Sequence, residues 1–597
     1  MRSTDTILGL IQERGRKGLP LERVHRLLYN PNLYLTAYGK IYSNKGAMTP
    51  GSTKETADAM SLEKIAKIIQ SLREGTFQWT PARRKYIPKK GGKKRPLGIT
   101  SWTDKLIQEV MRMILEAYFE PCFNQHSHGF RPERGCHTAL REVYYQWSGT
   151  VWHIEGDISQ CFDAVDHHIL LTILRESIHD EKFIALISEL LKAGYMEQWR
   201  YHTTLSGTPQ GSILSPVLAN LYLDKLDTYI EKTLVPAYTR GERRRANPEY
   251  RSLNRKANNL RKQGQMKEAK ELKKQYQRIP SSDTNDPNFR RLRYIRYADD
   301  ILLGFIGPKS DAEDIKRQLG TFLQETLRLK LSNEKTLITH ASSERAKFLG
   351  YEIQTLQSTT SHDERGRRNI NGRIGLRVPE DVIYAKRKRY TRKGKAIHRT
   401  ELLQDSDFSI ITMYQAEYRG LVEYYRLAYN LSPALNKLKA RMEESLVKTL
   451  AAKYKVSKAQ IYKRYRTTIV KDEKRYKGLK VLIERSDKQP LVAQWGGIPL
   501  TWDIQASIKD QTPRWNDRRT ELEKRLLADT CEYCGSTENV QVHHIRALKD
   551  LQRHTGREKP EWVKMMAARR RKTLILCRTC HMDVHSGRPL RRQKSST

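Results

Sequence analysis

Apolar residues at Leu62, Ile65, Ile68, Ile69 and Leu72 recur with the 3.6-residue period of an amphipathic helix. They sit in a first 80 residues that pattern as mostly helical, with a Gly/Pro/Asn-rich connector from Tyr29 to Gly51 before that helix. From about 83 to 360 short apolar runs alternate with longer amphipathic ones. Val151–Asp157 and Leu292–Ala298 are expected as strands; Asp104–Tyr118, Ser215–Leu226 and Ala312–Leu327 are expected as helices. Residues 240–280 break the rhythm with 14 Lys/Arg, only 4 Glu and almost no aliphatic side chains. A solvent-exposed helical insertion fits them, either simply solvated or in contact with RNA. Helical spacing returns over 380–450, opening with eight Lys/Arg between Lys386 and Arg399, and a mixed basic stretch runs on to about 527. There is no internal repeat.

Composition sharpens this picture. At 597 residues the chain has room for roughly four domains. Its 110 Lys+Arg against 67 Asp+Glu give a net charge of +43, and the excess recurs along the whole chain. That favours a polyanionic partner. No apolar run approaches the ~20 residues of a membrane helix, so nucleic acid is preferred to lipid. The N-terminus lacks an apolar signal core, and acidic Asp5 and Glu13 argue against a transit peptide. Of seven cysteines, Cys122, Cys136 and Cys161 are scattered singles. Cys531, Cys534, Cys577 and Cys580 form two C-x2-C pairs, a zinc pattern rather than a disulfide framework.

Two segments carry candidate chemistry. Tyr294-Ile295-Arg296-Tyr297-Ala298-Asp299-Asp300-Ile301-Leu302-Leu303 sets adjacent carboxylates between apolar strands, where desolvation is costly. Adjacent acids occur in many plain surface turns; the flanking apolar runs, and Asp157 at the end of Trp152-His153-Ile154-Glu155-Gly156-Asp157, mark these as different. Nucleotidyl transfer needs two Mg²⁺ ions roughly 3.5–4 Å apart. Hard Mg²⁺ takes a few carboxylates in near-octahedral geometry, which three aspartates from two adjacent strands can supply.

At this point the sequence resembles the reverse transcriptases, and within them the proteins encoded by group II introns. Tyr297-Ala298-Asp299-Asp300 is similar to the family's Y-x-D-D box. The family's other blocks follow in order over most of 25–360: Asn30-Pro31-Asn32 through Gly51, Arg84-Lys85-Tyr86-Ile87-Pro88 through Arg95-Pro96-Leu97-Gly98-Ile99, and His128-Gly129-Phe130-Arg131-Pro132. Gly207-Thr208-Pro209-Gln210-Gly211-Ser212, Leu331-Ser332-Asn333-Glu334-Lys335-Thr336 and Phe348-Leu349-Gly350-Tyr351 complete the set. The resemblance implies catalytic Asp157, Asp299 and Asp300, with two Mg²⁺ held by these and Ile158. It implies Phe162 as the steric gate beneath the incoming sugar, against the alternative of a core phenylalanine. Gln210 would line the nucleotide pocket, and Lys94 or Arg95 would meet the triphosphate, with no choice between them. Lys335 would protonate the pyrophosphate leaving group. Arg131 would contact template or nucleotide, or form a structural salt bridge. The thumb after Gly350 resembles the maturase domain of these proteins, which binds intron RNA; Tyr414, Tyr418, Tyr424 and Tyr425 are expected there as core rather than stacking platforms.

Near the C-terminus four thiolates suit a structural Zn²⁺. His581 and His585, four apart, share one helical face suitable for a metal, and His544 beside His543 on a strand is a candidate general base. Residues 528–590 resemble the HNH (ββα-metal) nucleases. That implies His543, His581 and His585 around one divalent ion, assigned as Mg²⁺, with His544 activating water. The family's middle Asn should fall near Lys572-Thr573, and none is there. A zinc ribbon that only binds DNA is the alternative.

The expected fold is multidomain α+β: a right-hand polymerase with fingers, palm and helical thumb, plus a small zinc-containing HNH domain. The expected divisions are 1–80 N-terminal extension; 81–365 fingers and palm, with the basic insertion at about 238–290; 366–470 thumb and maturase domain; 471–527 DNA-binding connector; and 528–597 HNH domain. The expected function is RNA-directed DNA polymerase, splicing maturase and HNH endonuclease in one intron-homing protein. Its partners would be group II intron RNA, double-stranded target DNA and dNTPs, with no membrane, and the oligomeric state left open. A bacterial cytoplasm or an organelle would house it. The rivals are a domesticated reverse transcriptase of a defence or diversity-generating system, and an RNA-binding splicing factor alone.

Overall fold

The computed structural model describes residues 2–44, 46–88, 92, 94–197, 200–204, 207, 211–283, 286–332, 334–358, 360–361, 364, 369–471, 473–485, 488–508, 520–545, 560–569 and 571–590. The helix expected over 62–72 is Leu62–Glu74, capped by the Ser61 hydroxyl and closed by Gly75 in the left-handed region. The connector expected from Tyr29 to Gly51 is corrected: Pro31–Ile41 is a helix. Asn30 caps it by accepting from the Asn32 amide, and Pro31 at its first position supplies a fixed φ where no amide partner is needed. Breaker residues therefore mark a helix start here, and Leu33, Tyr34, Ala37 and Tyr38 bury its inner face.

A four-stranded antiparallel sheet forms the centre, in the order Leu337–His340, Trp152–Asp157, Asp300–Ile306, Arg291–Tyr297. Its two middle strands contribute Ile154, Ile301, Leu303 and Phe305 to a core shared with the N-terminal helices and with helices Trp102–Phe119 and Ser215–Tyr229. The opposite face, through Ile295 and Leu302, joins a second core with the helices Asp407–Tyr424 and Leu431–Tyr454. A second sheet, ordered Lys94–Ile99, Ala82–Pro88, Tyr195–Glu197, Arg200–His202, lies in the region expected as fingers.

The basic insertion is a pair of helices, Pro248–Lys262 and Met266–Tyr276, with only Ala257, Ala269 and Tyr276 buried. Tyr414, Tyr418 and Tyr425 are core residues as expected, Tyr424 packs against the same core, and the hydroxyls of Tyr424 and Tyr425 donate to the carbonyls of Leu349 and Gly350. Those two bonds tie the helical region to the end of the preceding block. The mixed stretch beyond 465 is an antiparallel sheet of Arg466–Lys471, Lys474–Arg485 and Lys488–Trp495. The C-terminal unit has strands Val540–His544 and Thr573–Cys577 followed by helix Arg578–Ser586, the ββα order its resemblance implies.

One buried ion pair supports the central sheet. Arg296, fully buried in the strand Arg291–Tyr297, donates through Nε (2.7 Å) and Nη2 (2.5 Å) to the Asp227 carboxylate. Its Nη1 reaches Asn220 Oδ1 at 3.1 Å and the Ala298 carbonyl at 2.9 Å. Removing one partner of a buried pair strands the other charge, at about 3–5 kcal/mol. Asp227→Asn is expected to destabilise this region by that amount. The check is hydrogen exchange at amides 291–306, which should accelerate in the variant while exchange over 573–586 stays as in the parent.

Candidate active sites

The first site is built on strand register. Asp157, the last residue of its strand, pairs directly with Asp300, the first of the next. Tyr297 pairs with Asp300 across the hairpin, so Ala298 and Asp299 form a two-residue turn, with Ala298 at φ +56°. The turn has no room to move. Gly129 packs so closely that a β-carbon there would collide with the Ala298 backbone. The Gly129 carbonyl accepts from Asn220 Nδ2 at 2.8 Å, which joins it to the Arg296 cluster.

Three carboxylates at one sheet edge raise each other's cost of ionisation. Burial pushes the Asp300 carboxyl up to about 6, and the charges of Asp299 and Asp157 add to it. Burial likewise raises Asp299, opposed by the positive charges of Arg95 and Lys335. Lys335 Nζ sits 2.6 Å from Asp157 Oδ2, and that bond holds its ammonium above the usual lysine range. An all-oxygen donor set of this charge fits Mg²⁺. The chemistry it allows is phosphoryl transfer with cations shared among the three carboxylates.

Of the two expected triphosphate residues, both exposed at the start of Lys94–Ile99, Arg95 is the one whose charge acts on Asp299. Phe162 lies on the short helix Cys161–Ala164, edge to face with Phe130 at 6.3 Å between centroids. Ile158 is buried and bridges to Leu331, so only its main-chain carbonyl is a candidate ligand. Gln210 lies outside the described residues. Its neighbour Gly211, at φ +104°, packs where a β-carbon would meet the Gly98 carbonyl oxygen at 2.5 Å, which sets Gly211 itself against the Arg95 strand. Arg131 is structural: it is buried, bound to the Glu120 carboxylate, and donates to the carbonyls of Asn124 and Ser127 at 2.5 and 2.7 Å. Sequence reasoning missed Arg296, Asp227 and Asn220. The available signal was an arginine inside an otherwise apolar strand, which demands a buried partner.

All seven cysteines of the chain are free of disulfides, and at the second site the sulfurs of Cys531, Cys534, Cys577 and Cys580 all lie within 4.8 Å of one another. The amides of Cys534 and Cys580 each donate to the first sulfur of their own C-x2-C pair at 3.5 Å. Four converging sulfurs with amide donors behind them fit a tetrahedral thiolate site for zinc.

The histidines converge separately. His543, His581 and His585 have ring centroids 4.7–5.3 Å apart, and a fourth group completes the cluster, the carboxylate of Asp58. Asp58 Oδ1 lies 3.2 Å from His581 Nε2, and Oδ2 lies 2.8 Å from His585 Nε2. Both ring nitrogens of His543 and of His544 are buried without a hydrogen-bond partner among the described residues. Orphaned imidazole nitrogens facing a carboxylate fit a divalent metal. Burial lowers the pKa of His543, to about 4, and also that of His544, so both are neutral and able to accept a metal or a proton. His544 pairs across the strands with Thr573, where the family's Asn was missed; the Thr573 hydroxyl and carbonyl are taken by Arg525. Nothing in the sequence signals Asp58, because it is separated from its partners by nearly the whole chain.

Comparison with known proteins agrees with this division. The family model of reverse transcriptase (RNA-dependent DNA polymerase) matches residues 87–353, that of type II intron maturase matches 380–487, and that of AI2M/AI1M-like HNH endonuclease matches 531–581. The chain is 39% identical over 98% of its length to the group II intron-encoded protein LtrA of Lactococcus lactis subsp. cremoris, covering 99% of that protein. It is 33% identical over 94% of its length to the putative COX1/OXI3 intron 1 protein of Saccharomyces cerevisiae, of which it covers 69%. No helix among the described residues is long and apolar enough to cross a membrane. The chain belongs to the group II intron-encoded proteins, and it joins a reverse transcriptase, an intron maturase and an HNH endonuclease in one polypeptide.

Proposed function

We propose that the protein copies its intron RNA into DNA at Asp157, Asp299 and Asp300, starting from a DNA end that its own His544 centre has cut. The register Asp157↔Asp300, with Asp299 at the adjoining turn, carries this reading because it gathers the carboxylates at one sheet edge facing Arg95. These residues and the Ile158 carbonyl would hold two Mg²⁺. The ions supply activation of the attacking 3′-oxygen and charge stabilisation on the triphosphate. Arg95 is preferred to Lys94 for orienting the triphosphate, since its charge already acts at the carboxylates. Phe162 would stack beneath the sugar and exclude a 2′-hydroxyl, and Gln210 would line the same pocket. Lys335 stays protonated beside Asp157 and is placed to give its proton to pyrophosphate.

In the tail, the four cysteines would hold Zn²⁺ as a structural staple, and the three histidines a divalent ion, Mg²⁺ in the cell. His544, neutral and next to that cluster, would take the proton of the attacking water. Residues 81–365 would serve as fingers and palm, 366–470 as thumb and RNA-binding maturase surface, and 471–527 as a DNA-binding connector. The maturase and HNH parts argue against a domesticated polymerase, and the reverse-transcriptase match with intact Asp157, Asp299 and Asp300 argues against a pure splicing factor.

Asp299→Ala should lower primer extension on an RNA template by about a thousandfold or more, an ~4 kcal/mol rise in barrier, with the protein still bound to its intron. Parental synthesis by this variant would remove the assignment. His544→Ala should slow cutting of the second target strand by about a hundredfold or more while leaving primer extension on a pre-cut primer intact. If the insertion contacts RNA phosphates, Arg255→Ala with Lys256→Ala should lower the log–log salt slope of intron binding by about 2. An unchanged slope would make that helical pair merely solvated.

A further inference from the structure

We infer that Asp58, from the N-terminal region, is the fourth ligand of the nuclease metal ion, and that the segment carrying it covers the nuclease in its resting state. The inference rests on the reading of the three histidines as a metal site and adds a ligand from outside the HNH segment.

The observations are geometric. A carboxylate oxygen of Asp58 and one nitrogen each of His543, His581 and His585 all lie within 4.8 Å of one another. Asp58 is held there by three hydrogen bonds, one to its side chain and two between backbones. Its own Oδ1 accepts from the His544 amide at 2.7 Å. The Ala59 amide donates to the Val542 carbonyl at 3.0 Å, and the Val542 amide donates to the Met60 carbonyl at 2.8 Å. The segment thus adds to the edge of the nuclease hairpin as a short antiparallel bridge, with Ala59 at φ +59° turning the carboxylate inward. Apolar packing backs it. Leu522, Leu526, Val540, Val542 and Ile575 lie in the same core as Leu33, Tyr38 and Met60.

Three imidazoles and one carboxylate would fill four of the six positions of an octahedral Mg²⁺. A carboxylate among those ligands would repel the anionic scissile phosphate. The base candidate is covered as well: His544 is only 5% exposed, with the Tyr42 ring 6.1 Å from its own. Cutting DNA therefore requires the 58–60 segment to leave, which frees one coordination position and exposes His544 together.

The test uses untagged full-length protein with zinc filling the cysteine site and Ni²⁺ as the probe, titrated calorimetrically. Asp58→Asn keeps the size and the acceptor for the His544 amide but removes the anionic ligand. It should weaken Ni²⁺ binding at least tenfold, since even loss of an outer-sphere partner costs about 10–100-fold. At saturating Mg²⁺, Asp58→Asn and Asp58→Ala should both cut the second target strand at least about threefold faster than the parent, and extend a pre-cut primer normally. Unchanged Ni²⁺ affinity overturns the ligand assignment, and equal or slower cutting overturns the resting state. His585→Ala separates the cases. If it too leaves Ni²⁺ binding unchanged, the histidine metal site itself fails; if it alone abolishes binding, only the role of Asp58 fails.

Discussion

A guanidinium with no water around it fixes where the polymerase carboxylates stand. Arg296 is fully buried, and its charge is tolerable only because Asp227, Asn220 and the Ala298 carbonyl take its donors. Each of those partners is itself anchored. Asp227 also accepts from the Tyr294 hydroxyl, and Asn220 holds the Gly129 carbonyl. The Arg296 main chain exchanges bonds with the His126–His128 segment, its amide donating to His126 and its carbonyl accepting from His128. The Tyr297-Ala298-Asp299-Asp300 turn is therefore clamped from below by a side chain and from the side by a glycine. A site that must hold repelling carboxylates at fixed spacing needs such a support, because the carboxylates contribute none of their own.

The repulsion is met by cations placed on different elements. Lys335 comes from the loop after the long helix Lys309–Leu327, and Arg95 from the second sheet. Both stand at the edge of the acidic cluster within a chain of net charge +43. In the proposed function the basic surface would draw in the polyanion over long range, while the small acidic island would take the divalent ions. The two charge scales do not conflict, since screening confines the acidic island to its immediate surroundings.

Local signals were legible in the sequence. The periods of 62–72 and 292–298, the Asp-Asp pair and the two C-x2-C spacings each depend on residues a few positions apart, and each stands close to where the pattern put it. The errors and omissions share a different cause. Asn30-Pro31 has the composition of a loop and the geometry of a helix start, and only the buried face of Leu33 and Tyr38 decides between them. Arg131 belongs to a recognisable block yet is consumed by Glu120. The side-chain partners of Arg296 lie on the helix Ser215–Tyr229, and Asp58 meets histidines at the opposite end of the chain. Pattern reports which residues can do chemistry; which partner each one finds is a property of the packed chain.

The segment 51–61 shows why such long-range partners matter here. Gly51 lies against the Thr100–Ser101 backbone so closely that a β-carbon would sit 2.7 Å from the Ser101 amide nitrogen. Four residues on, Glu55 accepts from the Thr103 hydroxyl at 2.9 Å and pairs with Lys64 at 3.1 Å. Three residues further, Asp58 enters the histidine cluster. One short stretch is thereby fixed at its start to the end of the strand that carries Arg95, and at its end to the nuclease. The proposed order of the chemistry gives this a use: a primer must be cut before it is extended, and a 58–60 segment that left the nuclease cluster would still be held through Gly51 and Glu55 beside the strand that carries Arg95.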